Sequence, residues 1–214
     1  HVVEGFKTRG AVFVDEISEV PIGGTIVYSA HGISPAIRQA ARQLKLVEVD
    51  ATCPLVTKVH AEVKRFARRG DTIFFIGHRN HDEAVGTVGE APQSVVVVES
   101  PAEVAEVKVA DESRLSYVTQ TTLSVSDAER VITALKNRFP NIKSAPKDDI
   151  CYATTNRQNA VTSFAPEVDL VLVIGSKNSS NSQRLVDRAI EAGKPGYLID
   201  DQSEIDPAWF AGKK

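Results

Sequence analysis

The fold class is indicated most directly by the stretch Thr72-Ile73-Phe74-Phe75-Ile76-Gly77-His78-Arg79-Asn80-His81-Asp82-Glu83. It contains a short β-rich run, a glycine and a polar turn, and the turn leads into residues suited to the first turn of a helix. Outward from this stretch, similar β-rich runs alternate with helical stretches along the chain. Such alternation is typical of α/β layers built around largely parallel sheets. We therefore predict an α/β fold.

Eight segments have the composition of strands, and helix start signals lie between them. The predicted strands are Ala11–Val14, Thr25–Ser29, Val47–Ala51, Thr72–Ile76, Val95–Val98, Leu115–Thr119, Leu170–Ile174 and Tyr197–Ile199. The helix signals are an N-cap serine before proline, a proline alone, a capping box and a polar cluster. They predict one helix from Ser34-Pro35 to near Leu44, one from Pro54 to about Arg69, one from Ser126 with Glu129 to before Pro140, and one from Asn181 or Ser182 to near Gly193. A further helix is predicted to begin at Cys151.

Length and composition exclude some classes of protein. The 214 residues are 42% hydrophobic and carry a formal net charge of −3. The basic residues are scattered, which argues against a general nucleic-acid binder. No apolar run approaches the ~20 residues that span a bilayer, so we expect no membrane segment. The chain starts at His1 and contains no methionine, so we expect it to be part of a longer protein.

Polar residues follow the ends of the predicted strands, which is where open α/β sheets bind their ligands. The turns after the strands contain Ala30-His31-Gly32, Thr52-Cys53-Pro54, the stretch 77–83, Gln120-Thr121-Thr122 and the stretch 175–182. Both cysteines and three of the five histidines therefore lie at strand ends or helix starts. This distribution indicates a polar binding site rather than packing.

The run Ser179-Ser180-Asn181-Ser182 offers hydroxyls, an amide and free backbone N–H groups at a helix start, which is the chemistry of phosphate binding. The same residues are also explained by the N-cap of a helix, for which a single serine would be enough. His31 suits either a phosphate contact or a turn, and His81 with Glu83 suits either a site or a solvated helical turn. His60 falls in mid-helix and is interpreted as structural.

Metal chemistry stays open at this level. His78, His81 and Glu83 have a spacing that suits zinc, although such groups often occur by accident. An iron–sulfur cluster with an open iron needs three cysteine thiolates, and this chain has only Cys53 and Cys151. Two distant cysteines without secretory context indicate a reducing compartment rather than a disulfide. The residues alone thus predict a phosphate-capable site in an α/β protein, with a metal as an open alternative.

Five longer motifs carry a family resemblance. They are Tyr28-Ser29-Ala30-His31-Gly32, Asp50-Ala51-Thr52-Cys53-Pro54-Leu55-Val56, Thr119-Gln120-Thr121-Thr122-Leu123-Ser124, Asp148-Asp149-Ile150-Cys151-Tyr152-Ala153-Thr154-Thr155-Asn156-Arg157-Gln158 and Gly175-Ser176-Lys177-Asn178-Ser179-Ser180-Asn181-Ser182. Together and in this order they resemble the IspH or LytB family of reductases, which ends the methylerythritol phosphate route to isoprenoids. The resemblance covers essentially all 214 residues.

The resemblance implies a fold and a set of residue roles. Tandem small three-layer α/β domains surround a central 4Fe–4S cluster, and the candidate joints at Cys53-Pro54 and Pro140–Asp149 place them at residues 1–53, 54–147 and 148–214. By match to the family motifs, Cys53 and Cys151 are metal ligands. Glu83 is the proton donor with Thr121 as its relay, and Gln120 lies just behind them. The residues that match diphosphate contacts are His31, His81, Ser179, Ser180 and Asn181.

The implied activity is reductive dehydroxylation of 4-hydroxy-3-methylbut-2-enyl diphosphate to isopentenyl and dimethylallyl diphosphate. The expected electron donor is ferredoxin or flavodoxin, and the expected location is the cytoplasm or a plastid stroma. The family's first cysteine ligand is expected before His1, and a further substrate-binding serine is expected after Lys214, so we expect this chain alone to be inactive. The alternatives are a zinc-dependent phosphohydrolase and a non-catalytic phosphate-binding domain.

Overall fold

The structure is a computed structural model that describes residues 2–145 and 149–213. Its helices are α1 (Val2–Lys7), α2 (Pro35–Gln43), α3 (Pro54–Arg68), α4 (Asp82–Glu90), α5 (Pro101–Glu106), α6 (Val125–Arg138), α7 (Tyr152–Phe164) and α8 (Ser180–Glu191). Its strands are β1 (Thr25–Tyr28), β2 (Val47–Asp50), β3 (Thr72–Ile76), β4 (Val95–Val98), β5 (Leu115–Thr119), β6 (Lys143–Ser144), β7 (Val171–Ile174) and β8 (Gly196–Ile199). Short 3-10 helices occupy Ile17–Glu19, Ala165–Glu167, Gln202–Glu204 and Pro207–Phe210.

The strands form separate sheets in which every pairing is parallel. A central four-stranded sheet has the order β4-β3-β5-β6, and the pairs β1-β2 and β7-β8 form two smaller sheets. Helices connect the strands because a parallel pair needs a crossover rather than a tight turn. The predicted α/β class with parallel sheets is therefore confirmed.

The central sheet is covered by apolar side chains on both faces. Because side chains alternate along a strand, Phe74 and Ile76 of β3 point into one core with Leu135 of α6, while Ile73 and Phe75 point into another. The second core is completed by the α3 side chains Val59, Val63 and Phe66. Burial of both faces explains why β3 is a continuous apolar run rather than an alternating one.

Each smaller sheet has a core of its own. Tyr28, Ala41 and Leu46 pack together beside β1 and β2. Val161, Ala165, Val171, Val173 and Ala189 form the core between β7 and the helices α7 and α8. The division into three domains at residues 1–53, 54–147 and 148–214 stays a prediction. The boundary between residues 147 and 148 lies outside the described residues.

Two strand predictions differ from the structure. The segment Ala11–Val14 forms no strand, and Val12 is 84% exposed, since no neighbouring strand pairs with it among the residues described. Conversely, β6 lies inside the predicted joint 140–149 and pairs with Ser116 and Tyr117 of β5. A strand of two residues is too short to leave a periodic pattern in the sequence.

Two helix starts also differ from the prediction. Helix α6 begins after Ser124, whose Oγ accepts from the N–H of Asp127 at 3.2 Å, so Ser126 and Glu129 do not form the predicted cap. Helix α8 begins after Ser179 rather than at Asn181 or Ser182. In serine-rich runs several residues suit the N-cap, and the tertiary position of the helix selects one.

Short helices were missed at two places. Helix α1 has only six residues and none of them is buried, although Val2, Val3 and Phe6 are apolar. Helix α5 starts at Ser100-Pro101, which is the same N-cap and proline signal that predicts α2 at Ser34-Pro35. In the parts of the chain that the structure describes, helices all fall short of the length and apolar character that a membrane crossing requires.

Replacement of Phe74 tests the importance of the central core. Phe74 is fully buried and stacks on Phe139 with ring centroids 5.8 Å apart. We expect Phe74→Ala to lower the free energy of unfolding by about 3–5 kcal/mol, because it removes buried area and leaves a cavity. The matched control is Val12→Ala in the exposed segment, which we expect to change it by less than ~0.5 kcal/mol. Urea unfolding followed by circular dichroism measures both, and equal effects would contradict this account of the core.

Candidate functional site

The turns after β3 and β5 are held side by side by Gln120. The pairing of Ile76 with Thr119 brings both strand ends to the same edge, and the N–H of Gln120 donates to the carbonyl of Ile76 at 2.8 Å. The side chain of Gln120 is fully buried, accepts from the backbone N–H of His78 at 2.9 Å and donates to Thr122 Oγ1 at 2.8 Å. These bonds fix the two turns that carry the predicted catalytic residues.

Glycine is required at position 77, where the two turns approach most closely. A Cβ atom on Gly77 would lie 2.8 Å from Cβ of Gln120 and 2.6 Å from the ring of Phe75. Neither group can withdraw easily, since both side chains are fully buried. The glycine after β3 therefore permits the close approach that places one turn against the other.

Glu83 lies in the first turn of α4, and its carboxylate is fully buried against the turn after β5. Its Oε1 accepts from the backbone N–H of Thr121 at 2.6 Å, and its Oε2 accepts from Thr121 Oγ1 at 3.1 Å. The start of the helix is capped by His81, whose Nδ1 accepts from the N–H of Glu83 at 3.1 Å. The predicted proton donor and its relay are thus in direct contact.

Burial changes the acidity of Glu83. Removal of the carboxylate from water raises its pKa from the ordinary value of 4.5 to about 7, and the negative charge of Asp149 acts in the same direction. The two hydrogen bonds from Thr121 stabilise the ionised form and oppose this rise only in part. Near neutral pH the group therefore exchanges a proton readily, which is the property of a general acid.

Two histidines face each other at the site. The rings of His31 and His81 meet edge to face with centroids 5.0 Å apart, and His31 Nδ1 lies 3.5 Å from a carboxylate oxygen of Asp82. Burial, followed by the proximity of His31, lowers the pKa of His81. An anion between the rings would favour their protonated forms, so the pair suits a negatively charged ligand.

A cavity of about 380 Å³ joins these groups to the start of α8. Its lining contains His31, Asn80, His81, Asp82, Thr122, Asn178, Ser179, Ser180 and Asn181. The five residues expected to contact a diphosphate therefore share one cavity, although they come from turns beside all three sheets. Sequence spacing gave no indication that these turns would meet.

Polar atoms in the cavity lining lack partners. Within the described residues, Ser180 Oγ and Asn181 Oδ1 are buried without a hydrogen bond, while His31 Nδ1 is buried with only the Asp82 carboxylate at 3.5 Å. The first backbone N–H groups of a helix also have no partner within the helix. The side-chain amide of Asn181 carries an NH₂ donor beside its oxygen, and a 180° rotation presents this donor to the cavity instead. Donors of this kind fit a phosphate group at the start of α8.

Both cysteines occupy N-cap positions beside the site. Cys53 precedes α3, and its N–H donates to the backbone carbonyl of Ala30 at 3.0 Å. Cys151 precedes α7, and its N–H donates to the backbone carbonyl of Thr121 at 2.9 Å. Each cysteine is thus tied to the turn next to a predicted site residue. Both thiols are free and half-buried, so they remain available as ligands.

The helix start acidifies Cys151. Burial favours the neutral thiol, but hydrogen bonds from the backbone N–H groups of Thr154 and Ala153 outweigh it, and the pKa of Cys151 is lowered. The thiolate is the form that binds metals. An iron–sulfur cluster is therefore consistent with the chemistry of the two cysteines, while a third thiolate has to come from outside this sequence.

A zinc site is not formed by the alternative ligands. In residues 2–145 and 149–213, no group of three or more His, Cys, Asp or Glu side chains is placed to hold a metal ion. Glu83 is engaged by Thr121, and the Nε2 atom of His78 lies 2.7 Å from an Arg184 nitrogen. The spacing of His78, His81 and Glu83 is therefore accidental in this fold.

Two supporting residues were not found from the sequence. Asp149 is buried, accepts from the N–H of Thr119 at 3.2 Å and pairs with Lys58 at 2.9 Å, so it links the segment before Cys151 to β5 and α3. Arg184 of α8 contacts His78. Asp149 could have been found from the sequence, because it is an acidic residue inside the motif that contains Cys151. No feature of the neighbouring sequence distinguishes Arg184 from other arginines. His60 is structural, as predicted: it is buried, with Nδ1 2.9 Å from Glu90.

The comparisons of this chain with known proteins agree with one another. The profile of the LytB protein family matches residues 1–214. The 4-hydroxy-3-methylbut-2-enyl diphosphate reductase of Azoarcus sp. (strain BH72) is 53% identical over 213 residues, which cover 100% of this chain and 68% of that protein. The reductase of the same name from Nocardia farcinica (strain IFM 10152) is 54% identical over 213 residues, which cover 99% of this chain and 63% of that protein.

Two solved structures are similar as well. The E-1-hydroxy-2-methyl-but-2-enyl-4-diphosphate reductase of Plasmodium falciparum aligns with a TM-score of 0.95 at 40% identity, over 99% of this chain and 67% of that one. An (E)-4-hydroxy-3-methyl-but-2-enyl diphosphate reductase, described as the terminal enzyme of the non-mevalonate pathway, aligns with a TM-score of 0.67 at 34% identity, over 100% of this chain and 75% of that one. The chain spans 63 to 68% of the length of the two curated relatives.

The raised pKa of Glu83 predicts a pH-dependent stability. The folded state resists ionisation of Glu83. The free energy of unfolding of the native chain, relative to that of Glu83→Gln, is therefore highest below pH 4.5 and falls as pH rises from 4.5 to about 7. The expected loss over this window is about 3 kcal/mol, with no further change above it.

Urea unfolding of both proteins across this pH range gives the difference directly, and all other titrating groups cancel. The control is Glu106→Gln, which replaces an exposed glutamate and is expected to give no such trend. A difference between the native chain and Glu83→Gln that stays constant with pH would show that Glu83 titrates normally.

Proposed function

This chain belongs to the LytB family, and on that premise we propose that it forms the substrate-binding core of a 4-hydroxy-3-methylbut-2-enyl diphosphate reductase. The observation that carries the proposal is the cavity in which His31, His81 and the start of α8 converge beside the contact between Glu83 and Thr121. The reaction removes the allylic hydroxyl of the substrate and yields isopentenyl and dimethylallyl diphosphate.

The diphosphate is proposed to bind at the start of α8. Ser180 and Asn181 bring buried polar atoms that lack a partner in the part of the chain that is described, and Ser179 caps the helix beside them. His31 and His81 approach from the opposite side of the cavity and become stronger donors when an anion favours their protonation. Neutral donors and imidazoles together hold a diphosphate without a dedicated magnesium ion.

Glu83 is proposed to deliver a proton to the leaving hydroxyl. One C–O bond breaks, two electrons and two protons are consumed, one proton leaves with the hydroxyl as water and the other is added to carbon. Loss of the hydroxyl as water requires a general acid, and the buried carboxyl of Glu83 holds its proton up to about pH 7. Thr121 donates to both oxygens of this carboxyl and orients it. A phosphate-binding domain without catalysis would leave this buried acid unexplained.

Cys53 and Cys151 are proposed to supply two of the three thiolate ligands of a 4Fe–4S cluster. When bound, such a cluster would pass electrons one at a time from an external donor, and its open iron would act as a Lewis acid. Cys151 contributes a thiol of lowered pKa, and Asp149 with Lys58 ties its segment to α3 one turn beyond Cys53. The proposed arrangement has the domains 1–53, 54–147 and 148–214 around this cluster.

The remaining partners follow from the chemistry. Two electrons have to reach the site from a soluble donor, and we propose a ferredoxin or a flavodoxin. Free thiols at Cys53 and Cys151 fit a reducing compartment, so we propose the cytoplasm, or the stroma in an organism that has plastids.

A Cys151→Ser variant tests the metal assignment. The test uses a version that also carries the additional segments of the curated relatives, reconstituted with iron and sulfide without oxygen. Because a serine hydroxyl is not a thiolate, we expect stable cluster assembly to be lost, measured as iron and sulfide content and visible absorbance. Tyr152→Phe at the neighbouring, 78% exposed residue is the control and should keep a full cluster. Full iron and sulfide content in Cys151→Ser would exclude this residue as a ligand.

A Glu83→Gln variant tests the proton delivery. The assay follows substrate-dependent oxidation of a reduced viologen dye by the extended, reconstituted protein, and turnover by the unaltered protein is the test of the proposed function itself. We expect Glu83→Gln to keep the cluster and the diphosphate affinity but to lower kcat by about 10²–10⁴-fold, since an amide cannot replace a general acid. Glu106→Gln is the control for loss of a carboxylate. Normal turnover by Glu83→Gln would remove Glu83 from the mechanism.

A further inference from the structure

Two arginines of α8 bind groups on the central domain. An Nη atom of Arg184 lies 2.7 Å from His78 Nε2, and another lies 3.4 Å from a carboxylate oxygen of Asp127. Arg188 donates to Ser124 Oγ at 2.6 Å and to Ser126 Oγ at 2.7 Å. Both side chains are largely buried, with 21% and 15% of their surface exposed. Each guanidinium therefore holds two groups of the central domain at once.

These contacts join the two sides of the proposed diphosphate cavity. Arg184 follows Asn181 by three residues on the same helix, and His78 precedes His81 by three residues in the turn after β3. The contact between Arg184 and His78 links positions 106 residues apart in the chain. The distance between the start of α8 and His81 is therefore set close to the cavity.

Arg184 does not act as a ligand of the proposed diphosphate. It lines a different cavity of about 250 Å³ together with His78, Asp127 and Arg130, while the diphosphate cavity is lined by Ser179, Ser180 and Asn181 but not by Arg184. Because arginine only donates hydrogen bonds, His78 Nε2 is the acceptor in their contact. The arginine is thus engaged with protein groups on the far side of the helix start.

The start of α8 does not need these arginines in order to fold. Its N-cap is Ser179, whose Oγ accepts from the N–H of Ser182 at 3.3 Å, and its apolar side packs into the core that contains Val171, Val173 and Ala189. Loss of Arg184 or Arg188 would leave the helix intact and remove hydrogen bonds that fix its position against the central domain.

We propose that Arg184 and Arg188 are positioning residues that hold the start of α8 at the distance from His81 at which both sides of the cavity contact one diphosphate. The inference rests on the proposed function and deepens it, since it assigns diphosphate affinity to residues that do not touch the diphosphate. The planar guanidinium suits this role because it holds two partners in a fixed geometry, which a lysine ammonium does not. The proton step at Glu83 is not affected.

The test is titration calorimetry of inorganic pyrophosphate into the extended protein, which also carries the additional segments of the curated relatives, under reducing conditions. We expect Arg184→Gln and His78→Ala each to weaken pyrophosphate binding by about tenfold. Because both changes remove the same contact between Arg184 and His78, we expect the double variant to bind no more weakly than Arg184→Gln alone. We expect Arg188→Gln to weaken binding through the contact with α6. Arg65→Gln is the control, since it removes the same charge from a residue that pairs with Glu62 on its own helix and lines neither cavity.

The outcomes separate the two levels of the argument. If the unaltered extended protein binds no pyrophosphate, the proposed diphosphate site is wrong and the inference fails with it. If the unaltered extended protein binds but Arg184→Gln and His78→Ala bind equally well, the positioning role alone is overturned. A double variant that binds about tenfold more weakly than Arg184→Gln alone would also overturn it, since the effect of His78 would then not pass through Arg184. Thermal unfolding of each variant checks folding, and His78→Ala with Arg188→Gln decides the question if Arg184→Gln does not fold.

Discussion

The parallel pairing of β3 with β5 is the constraint on which the site depends. Its register places Ile76 beside Thr119, so the turns that follow these strands emerge at the same edge of the sheet. The side chain of Gln120 then binds one turn to the other, and the carboxyl of Glu83 is buried against Thr121. A shift of the register by one residue would move every side chain of the strand to the opposite face and separate these groups. The acidity of Glu83 is thus a consequence of sheet geometry.

Around that edge, the site is divided between parts that have separate cores. The turn with His31 follows β1, the start of α8 follows β7, and Glu83 follows β3. Groups from different sheets meet through polar contacts, among them the pair of Lys58 with Asp149 and the arginines of α8. Apolar packing therefore stabilises each part, whereas these polar contacts help to fix their relative position. Hydrogen bonds suit this purpose because their energy depends strongly on distance and angle.

The sequence predicted the strands well and the connections between parts poorly. Apolar runs such as Thr72–Ile76 and Leu115–Thr119 match β3 and β5 residue for residue, because burial on both faces leaves an unambiguous pattern. The segment Ala11–Val14 has the same composition but no partner strand, and pairing is a tertiary property. Residue roles came from the family motifs, and the structure added their contacts. Long-range contacts such as that of Arg184 with His78 leave no local signal, so only the folded chain shows them.

The spacing of contacts along the chain has a consequence for the order of folding. Strands that pair in one sheet are close in sequence, as in the pairing of Val171 with Gly196, whereas the contact of Arg184 with His78 spans 106 residues. Closure of a long loop costs more conformational entropy than closure of a short one and is slower. We therefore expect the separate cores to condense first and the cavity to form last. A nascent chain would then present its thiols on already folded parts before the cavity closes, so that a cofactor can enter while the path is still open.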